Sequence, residues 1–154
     1  MTERNFWAKI DSLVQGSSVV IDRPKGSQHP RIPTLIYPLD YGFLSDTTSM
    51  DGHGVDVWIG SLKRRTVTGV VCTVDIGKRD AEVKILLGCT RMEQRRILSI
   101  HNFSGGTQAG MLISRRSTVR QRGRRVVRQR GVRSLSKRVS SKPPLSTDPD
   151  VGAR

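Results

Sequence analysis

The apolar positions of this chain fall in short runs whose period changes along the sequence. Between Asn5 and Leu13, and on to Val14, the residues Phe6, Ile10, Leu13 and Val14 stand at spacings of three, four and seven. This is one face of a short amphipathic helix, which Gly16 can stop. Ser18 to Asp22 (SVVID) predicts a strand that runs into Arg23-Pro24-Lys25-Gly26-Ser27, where proline and glycine force a turn. The stretch to Pro33 is rich enough in proline to read as loop or irregular edge, and Thr34 to Phe43 is extended or turn-like around Pro38.

Strict alternation follows. Val55, Val57 and Ile59 share one side of a predicted strand, with Asp56 and Trp58 on the other. Thr66 to Val74 is β-branched and ends at Asp75, and Ala81 to Leu87 puts Glu82 and Lys84 on one side and Val83 and Ile85 on the other. Met92 to His101 reads as a helix and Met111 to Ile113 as a last strand. Short strands with turn signals and a helix near each end predict a small antiparallel barrel, mainly β and OB-like, with an open α+β sheet as the alternative. Parallel βαβ repeats are not expected, because the gaps between strands are too short for crossover helices.

Composition changes this picture only at the end of the chain. The 154 residues carry a net charge of +14. Residues 1 to 114 hold 14 basic and 11 acidic side chains, against 13 and 2 in residues 115 to 154. The excess therefore belongs to a second segment, in which Val-Arg-Gln-Arg-Gly occurs at 119–123 and again at 127–131. A folded domain over 1–114 and a basic, disordered tail over 115–154 are expected, the tail making weak, nonspecific, salt-dependent contact with polyanions. No apolar run is long enough to span a bilayer and no secretory pattern opens the chain, so the expected location is the cytoplasm, without membrane contact. Cys72 and Cys89, in apolar surroundings, read as reduced buried thiols.

Chemistry concentrates around Asp51-Gly52-His53-Gly54-Val55-Asp56. Phosphoanhydride hydrolysis needs a divalent ion to screen oxygens and activate water, and cations to grip phosphates. Magnesium, or manganese in its place, takes carboxylate oxygens, and Asp51, Asp56, Asp75, Asp80 and Glu82 lie near two strand rims. Lys25, Arg31 and Lys84 are candidate phosphate holders, and Tyr37 and Tyr41 candidate hydroxyl donors. Each also has a plainer reading: Asp51 as a turn residue, Asp75 and Asp80 as a solvated hairpin tip, Glu82 with Lys84 as a surface pair, and the tyrosines as core. His53 is a turn residue or a group that carries a proton near neutral pH. His29 and His101 read as loop and helix-end residues. No P-loop, dinucleotide fingerprint or nucleophile elbow competes.

The stretches 19–31, 37–61 and 72–90 together resemble the soluble metal-dependent inorganic pyrophosphatases of the barrel type, in their short bacterial form, over residues 1–114. The resemblance is carried by Tyr-Pro-x-x-Tyr-Gly followed by the Asp-Gly-x-x-x-Asp-Val loop. It implies hydrolysis of pyrophosphate to two phosphates by a Mg²⁺-activated water. By position it puts Asp22 where the family has a glutamate, Arg31 at a phosphate-binding lysine, and Tyr37 and Tyr41 at two tyrosines. It also puts Asp51 and Asp56 at the outer two of three metal-binding aspartates, and Glu82 and Lys84 at a metal ligand and a phosphate-binding lysine. His53 stands in place of the middle aspartate and Gly54 in place of a proline. The expected catalytic group is thus Asp56, Tyr41, His53 and Lys84, with Lys25, Arg31 and Tyr37 adding phosphate contacts. Asp22, Asp51, Asp56, Asp75, Asp80 and Glu82 are the metal candidates. The substrate is a small phosphate compound and the protein admits a homo-oligomer. Two alternatives stand beside this reading: hydrolysis of another phosphoanhydride such as a nucleoside polyphosphate, and a catalytically weak domain that anchors the polyanion-binding tail.

Overall fold

The computed structural model describes residues 2–103 and 106–116. The disorder and polyanion contacts expected of the basic tail fall almost wholly outside them. The first helix, α1, spans Glu3–Gln15 and ends at Gly16. Its inward face is Trp7, Ile10 and Val14, spaced three and four apart, while Phe6 and Leu13 are exposed. The helix therefore forms where expected, and its buried stripe is rotated by one residue so that the larger indole goes inside.

Among the described residues six strands make one sheet: β1 (Val19–Arg23), β2 (Asp40–Leu44), β3 (Asp56–Ile59), β4 (Val67–Asp75), β5 (Asp80–Leu87) and β6 (Gln108–Ser114). Their order is β1-β2-β3-β5-β4-β6, antiparallel everywhere except between β3 and β5. The predicted antiparallel barrel is therefore not formed, and the sheet is open and mixed, with β1 and β6 as its two edges. The physical reason lies in one connection. The chain leaving β3 passes the neighbouring position, lays down β4 farther out, and returns by a hairpin as β5 alongside β3. A strand serves as the crossover, so a parallel pair arises without the helix that parallel neighbours usually require.

Alternation gives the sheet two apolar faces. On one, Leu44, Val57, Ile59, Val67, Val70, Ile85 and Leu87 pack under Trp7 of α1. On the other, Tyr37, Leu39, Trp58, Val71, Leu86 and Cys89 pack with Ile97 of the second helix, α2 (Arg91–His101). Trp58 and Leu86 are register partners, so the residues two positions earlier on each strand, Asp56 and Lys84, meet side by side on this same face. The α2 face is thus apolar at one end and polar at the other.

Two local devices hold the frame. At the start of α2, Thr90 Oγ1 accepts the Glu93 N–H at 3.3 Å and Glu93 Oε2 accepts the Thr90 N–H at 2.7 Å, a capping box. The other Glu93 oxygen accepts the Ser61 N–H at 3.1 Å, tying the helix to the end of β3. At the far edge, Arg115 holds Asp11 with two nitrogens at 2.7 and 2.8 Å and lies over the Trp7 ring, fastening α1 beside the end of β6. Cys72 and Cys89 are free thiols; Cys89 is buried as expected, whereas Cys72 is only half-buried, and burial pushes the Cys89 pKa up to about 12. Among the described residues no helix is long and apolar enough to cross a membrane.

Candidate active site

Lys84 is the centre of the polar end of the α2 face. Its neighbours along β5 alternate, so Glu82 points the same way, and the parallel pairing brings in Asp56 from β3. Lys84 Nζ donates to Glu82 Oε2 at 2.7 Å, to Asp56 Oδ2, and at 3.4 Å to the Tyr41 hydroxyl. The Lys84 and Glu82 side chains are 5% and 4% exposed, so this is a buried ion pair and not the surface pair that strand alternation alone allows. Asp56 is half-buried, at 23%. Burial alone would lower the Lys84 pKa, but Asp56 and Glu82 outweigh it and hold the ammonium above its ordinary value. Burial, reinforced by Asp56, pushes the Tyr41 phenol far above the usual tyrosine range, so its hydroxyl keeps its proton.

Around this group opens a cavity of about 680 Å³. Asp22, Arg31, Tyr37, Tyr41, Asp51, His53, Asp56, Asp75, Glu82 and Lys84 all line it. Two predicted residues do not. The Lys25 backbone N–H caps Asp40 Oδ1 at 2.8 Å in the turn after β1, outside the cavity lining. Asp80 opens β5 beside a shallow surface depression that it shares with Val74, Ile76 and Arg79.

The residues that do line the cavity differ in how free they are. Asp51 Oδ1 accepts the His53 N–H at 3.0 Å, so it is a turn residue and a lining residue at once. Asp75 Oδ1 accepts from Thr107 Oγ1 at 2.6 Å and from the Gly77 and Lys78 N–H groups at 2.9 and 3.2 Å. The Thr107 bond, with those two amides, holds its carboxyl below the usual range and commits that oxygen to the hairpin. Asp22 is paired with Arg23 at 3.0 Å.

Sequence reasoning passed over Arg23, His29, Lys78, Trp58, His101 and Gln108, all of which line the cavity. The signal for one group was present: a tryptophan inside an apolar strand needs a partner for its N–H. Trp58 finds it in His101, whose other nitrogen meets Gln108 Oε1. Lys78 could be read only as part of a hairpin tip until the Asp75 turn folds it toward the cavity.

Five carboxylates among the described residues line the cavity, and carboxylate oxygens are the hard donors that a magnesium or manganese ion takes. Among the described residues, however, no group of three or more His, Cys, Asp or Glu side chains is gathered closely enough to hold an ion by itself. The donor set suits such an ion in kind, held by one or two carboxylates and completed by ligand oxygens and water.

No protein-family model matches the chain, and no curated protein matches it. Solved structures do show a likeness. An inorganic pyrophosphatase from Helicobacter pylori aligns at a TM-score of 0.43 with 15% identity, over 64% of this chain and 82% of that one. One from Coxiella burnetii gives 0.42 and 14%, over 62% and 82%, and one from Neisseria gonorrhoeae 0.42 and 22%, over 59% and 77%. These are distant likenesses, and they assign no residue here a role. The resemblance read from the motifs is corrected accordingly: the sheet is not closed into the barrel of that family, because β3 and β5 pair in parallel and β1 and β6 remain edges.

Proposed function

We propose that this chain hydrolyses phosphoanhydrides, with inorganic pyrophosphate as the smallest substrate. The observation that carries the reading is the convergence, on one cavity, of a buried Lys84 bridging Asp56 and Glu82 with the cationic side chains of Arg23, Arg31 and Lys78. Pyrophosphate is a dense anion with oxygens on every side. Guanidinium forks and ammonium groups on several walls match it, and they stabilise charge where it builds on the leaving phosphate.

The roles follow from the surroundings. Lys84, already held by two carboxylates, is a fixed positive charge for a bridging or leaving oxygen and loses little freedom on binding. Tyr41 keeps its proton and donates to a phosphate oxygen. Asp56, more open than Glu82, is the carboxylate we assign to orient a water and take its proton as the new bond to phosphorus forms. Glu82 keeps Lys84 charged and in place. Arg31 and Lys78, on loops at the rim, close on the phosphates from outside. A Mg²⁺ ion, or Mn²⁺, would be held by Asp56 with Asp51 or Glu82 and by substrate oxygens, and when bound it supplies charge screening and a more acidic water.

The test is phosphate release from pyrophosphate by the full chain, with and without Mg²⁺ or Mn²⁺, against Asp56→Asn. Release that needs the ion and drops at least a hundredfold in the variant is expected. No release at micromolar protein under any of these conditions rejects the proposal.

A further inference from the structure

The cavity is larger and less uniformly charged than pyrophosphate requires. Pyrophosphate has nine heavy atoms and no apolar surface. At about 30 Å³ for each water-sized atom, it claims less than half of the 680 Å³. Part of the remaining wall is apolar: Ile32 and Leu35 from the loop before β2, Ile100 from α2, and Phe103 just beyond it. Ile32 and Phe103 are exposed, at 39% and 55%.

His29 lines the same cavity. Its Nδ1 accepts the N–H groups of Arg31 and Ile32, both at 3.1 Å, so the ring is locked in one orientation. It stacks on Tyr37 with centroids 5.9 Å apart and planes 17° apart, and Tyr37 stacks on Tyr41 at 5.6 Å and 29°. Lys84 Nζ is 6.0 Å from the centre of the Tyr41 ring. The stacked rings of His29, Tyr37 and Tyr41 thus follow one another toward Lys84. Burial, with Arg23, Arg31 and Lys78 nearby, lowers the His29 pKa, so at neutral pH the ring is an uncharged flat surface. A planar heteroaromatic ring stacks on such a surface whatever its hydrogen-bonding edge.

We propose that this site takes nucleoside triphosphates, the base lying against His29, Ile32 and Leu35 and the phosphates reaching Lys84 between Arg23, Arg31 and Lys78. The hydrolytic half of this rests on the phosphoanhydride chemistry proposed above, whereas the base contact stands on the ring row and the apolar wall. In the reaction a water oxygen bonds to the terminal phosphorus. The bond from that phosphorus to its bridging oxygen breaks, and the electron pair stays on the nucleoside diphosphate. The proton of the water leaves through the Asp56 carboxylate. Products are nucleoside diphosphate and phosphate, with no change of oxidation state.

Inorganic tripolyphosphate carries the same anhydride chain without a base, so it is the control. Binding of adenosine 5′-(β,γ-imido)triphosphate and of tripolyphosphate to the full chain is measured by calorimetry, and phosphate release is followed from ATP and tripolyphosphate. The nucleotide analogue is expected to bind at least tenfold more tightly. His29→Asn keeps an acceptor for the two backbone N–H groups and removes the ring, and it is expected to erase most of that ratio. Ile32→Ser, on an exposed position, is expected to lower the ratio in the same direction. Equal affinity for the two ligands, or a ratio indifferent to both substitutions, overturns the base contact. Pyrophosphate cleaved with no preference for the nucleotide defeats this inference alone. A base-dependent preference in binding, with neither pyrophosphate nor ATP cleaved, upholds the base contact and defeats the hydrolysis.

Discussion

Trp58 donates its indole N–H to Nε2 of His101 at 3.1 Å, which assigns the imidazole proton to Nδ1 and directs it to Gln108 Oε1 at 2.8 Å. The histidine is therefore held neutral with both nitrogens used. Burial lowers its pKa to about 4. The unfolded chain takes up this proton near pH 6.5, the folded one only near 4, so between those values the unfolded state binds more protons and stability falls as pH falls. The contribution is complete above pH 6.5 and amounts to about 3 kcal/mol lost by pH 4. Urea unfolding of wild type and His101→Gln across this window should show a shallower pH slope in the variant. Parallel slopes would mean that His101 titrates normally in the fold.

Removing the lysine from the buried triad should cost far more than a surface pair would. Lys84→Met leaves Glu82 charged, buried and without its ammonium, a loss of about 3–5 kcal/mol. Adding Glu82→Gln removes the stranded charge and should restore most of the lost stability while leaving phosphate release absent. A double variant as unstable as the single one would show that the lysine acts by packing.

His53→Asp adds a hard oxygen donor to the cavity that Asp51 and Asp56 line. Mn²⁺ affinity, followed by electron paramagnetic resonance of the free ion, should rise several-fold, and the Mg²⁺ needed for half-maximal phosphate release should fall in step. Unchanged ion binding would place position 53 away from the ion.

Gly42 lies under β1 with no room for a side chain: a Cβ there would sit 1.8 Å from the Val20 carbonyl oxygen. Gly42→Ala must part β1 from β2, so a destabilisation at or above the roughly 1–3 kcal/mol typical of overpacking is expected. Since β1 carries Asp22 and Arg23, phosphate affinity should weaken even below the melting temperature. A variant with wild-type stability would show that the strands separate freely.

Much of the frame was legible because local chemistry dictates it. The alternation in Asp56–Ile59 and Asp80–Leu87, the β-branched run Val67–Asp75 and the period of Arg91–His101 each produced the element that their patterns predict, within a residue or two. What alternation does not encode is which strand lies next to which. The antiparallel barrel was the natural assembly of such strands, and only the β3 to β5 pairing, made between segments separated by a whole hairpin, decides for an open mixed sheet. The cavity shows the same division. Asp51, Asp56, Glu82 and Lys84 stood out by type and spacing, whereas His29 and His101 belong to loop and helix-end positions whose meaning comes from Tyr37 and Trp58 across the fold. Lys25 and Asp80 had the right chemistry in the right region and point elsewhere, since one turn and one hairpin register determine the direction.

The parallel seam also makes the site depend on both halves of the sheet. Glu82 and Lys84 meet within one strand, two residues apart, whereas Asp56 reaches Lys84 only across the β3–β5 pairing, 28 residues along the chain. Such non-local closures come late because the loop entropy is lost before the contact repays it. The second carboxylate of Lys84 is therefore bound only where the two halves of the sheet, β1-β2-β3 and β5-β4-β6, meet as a single surface.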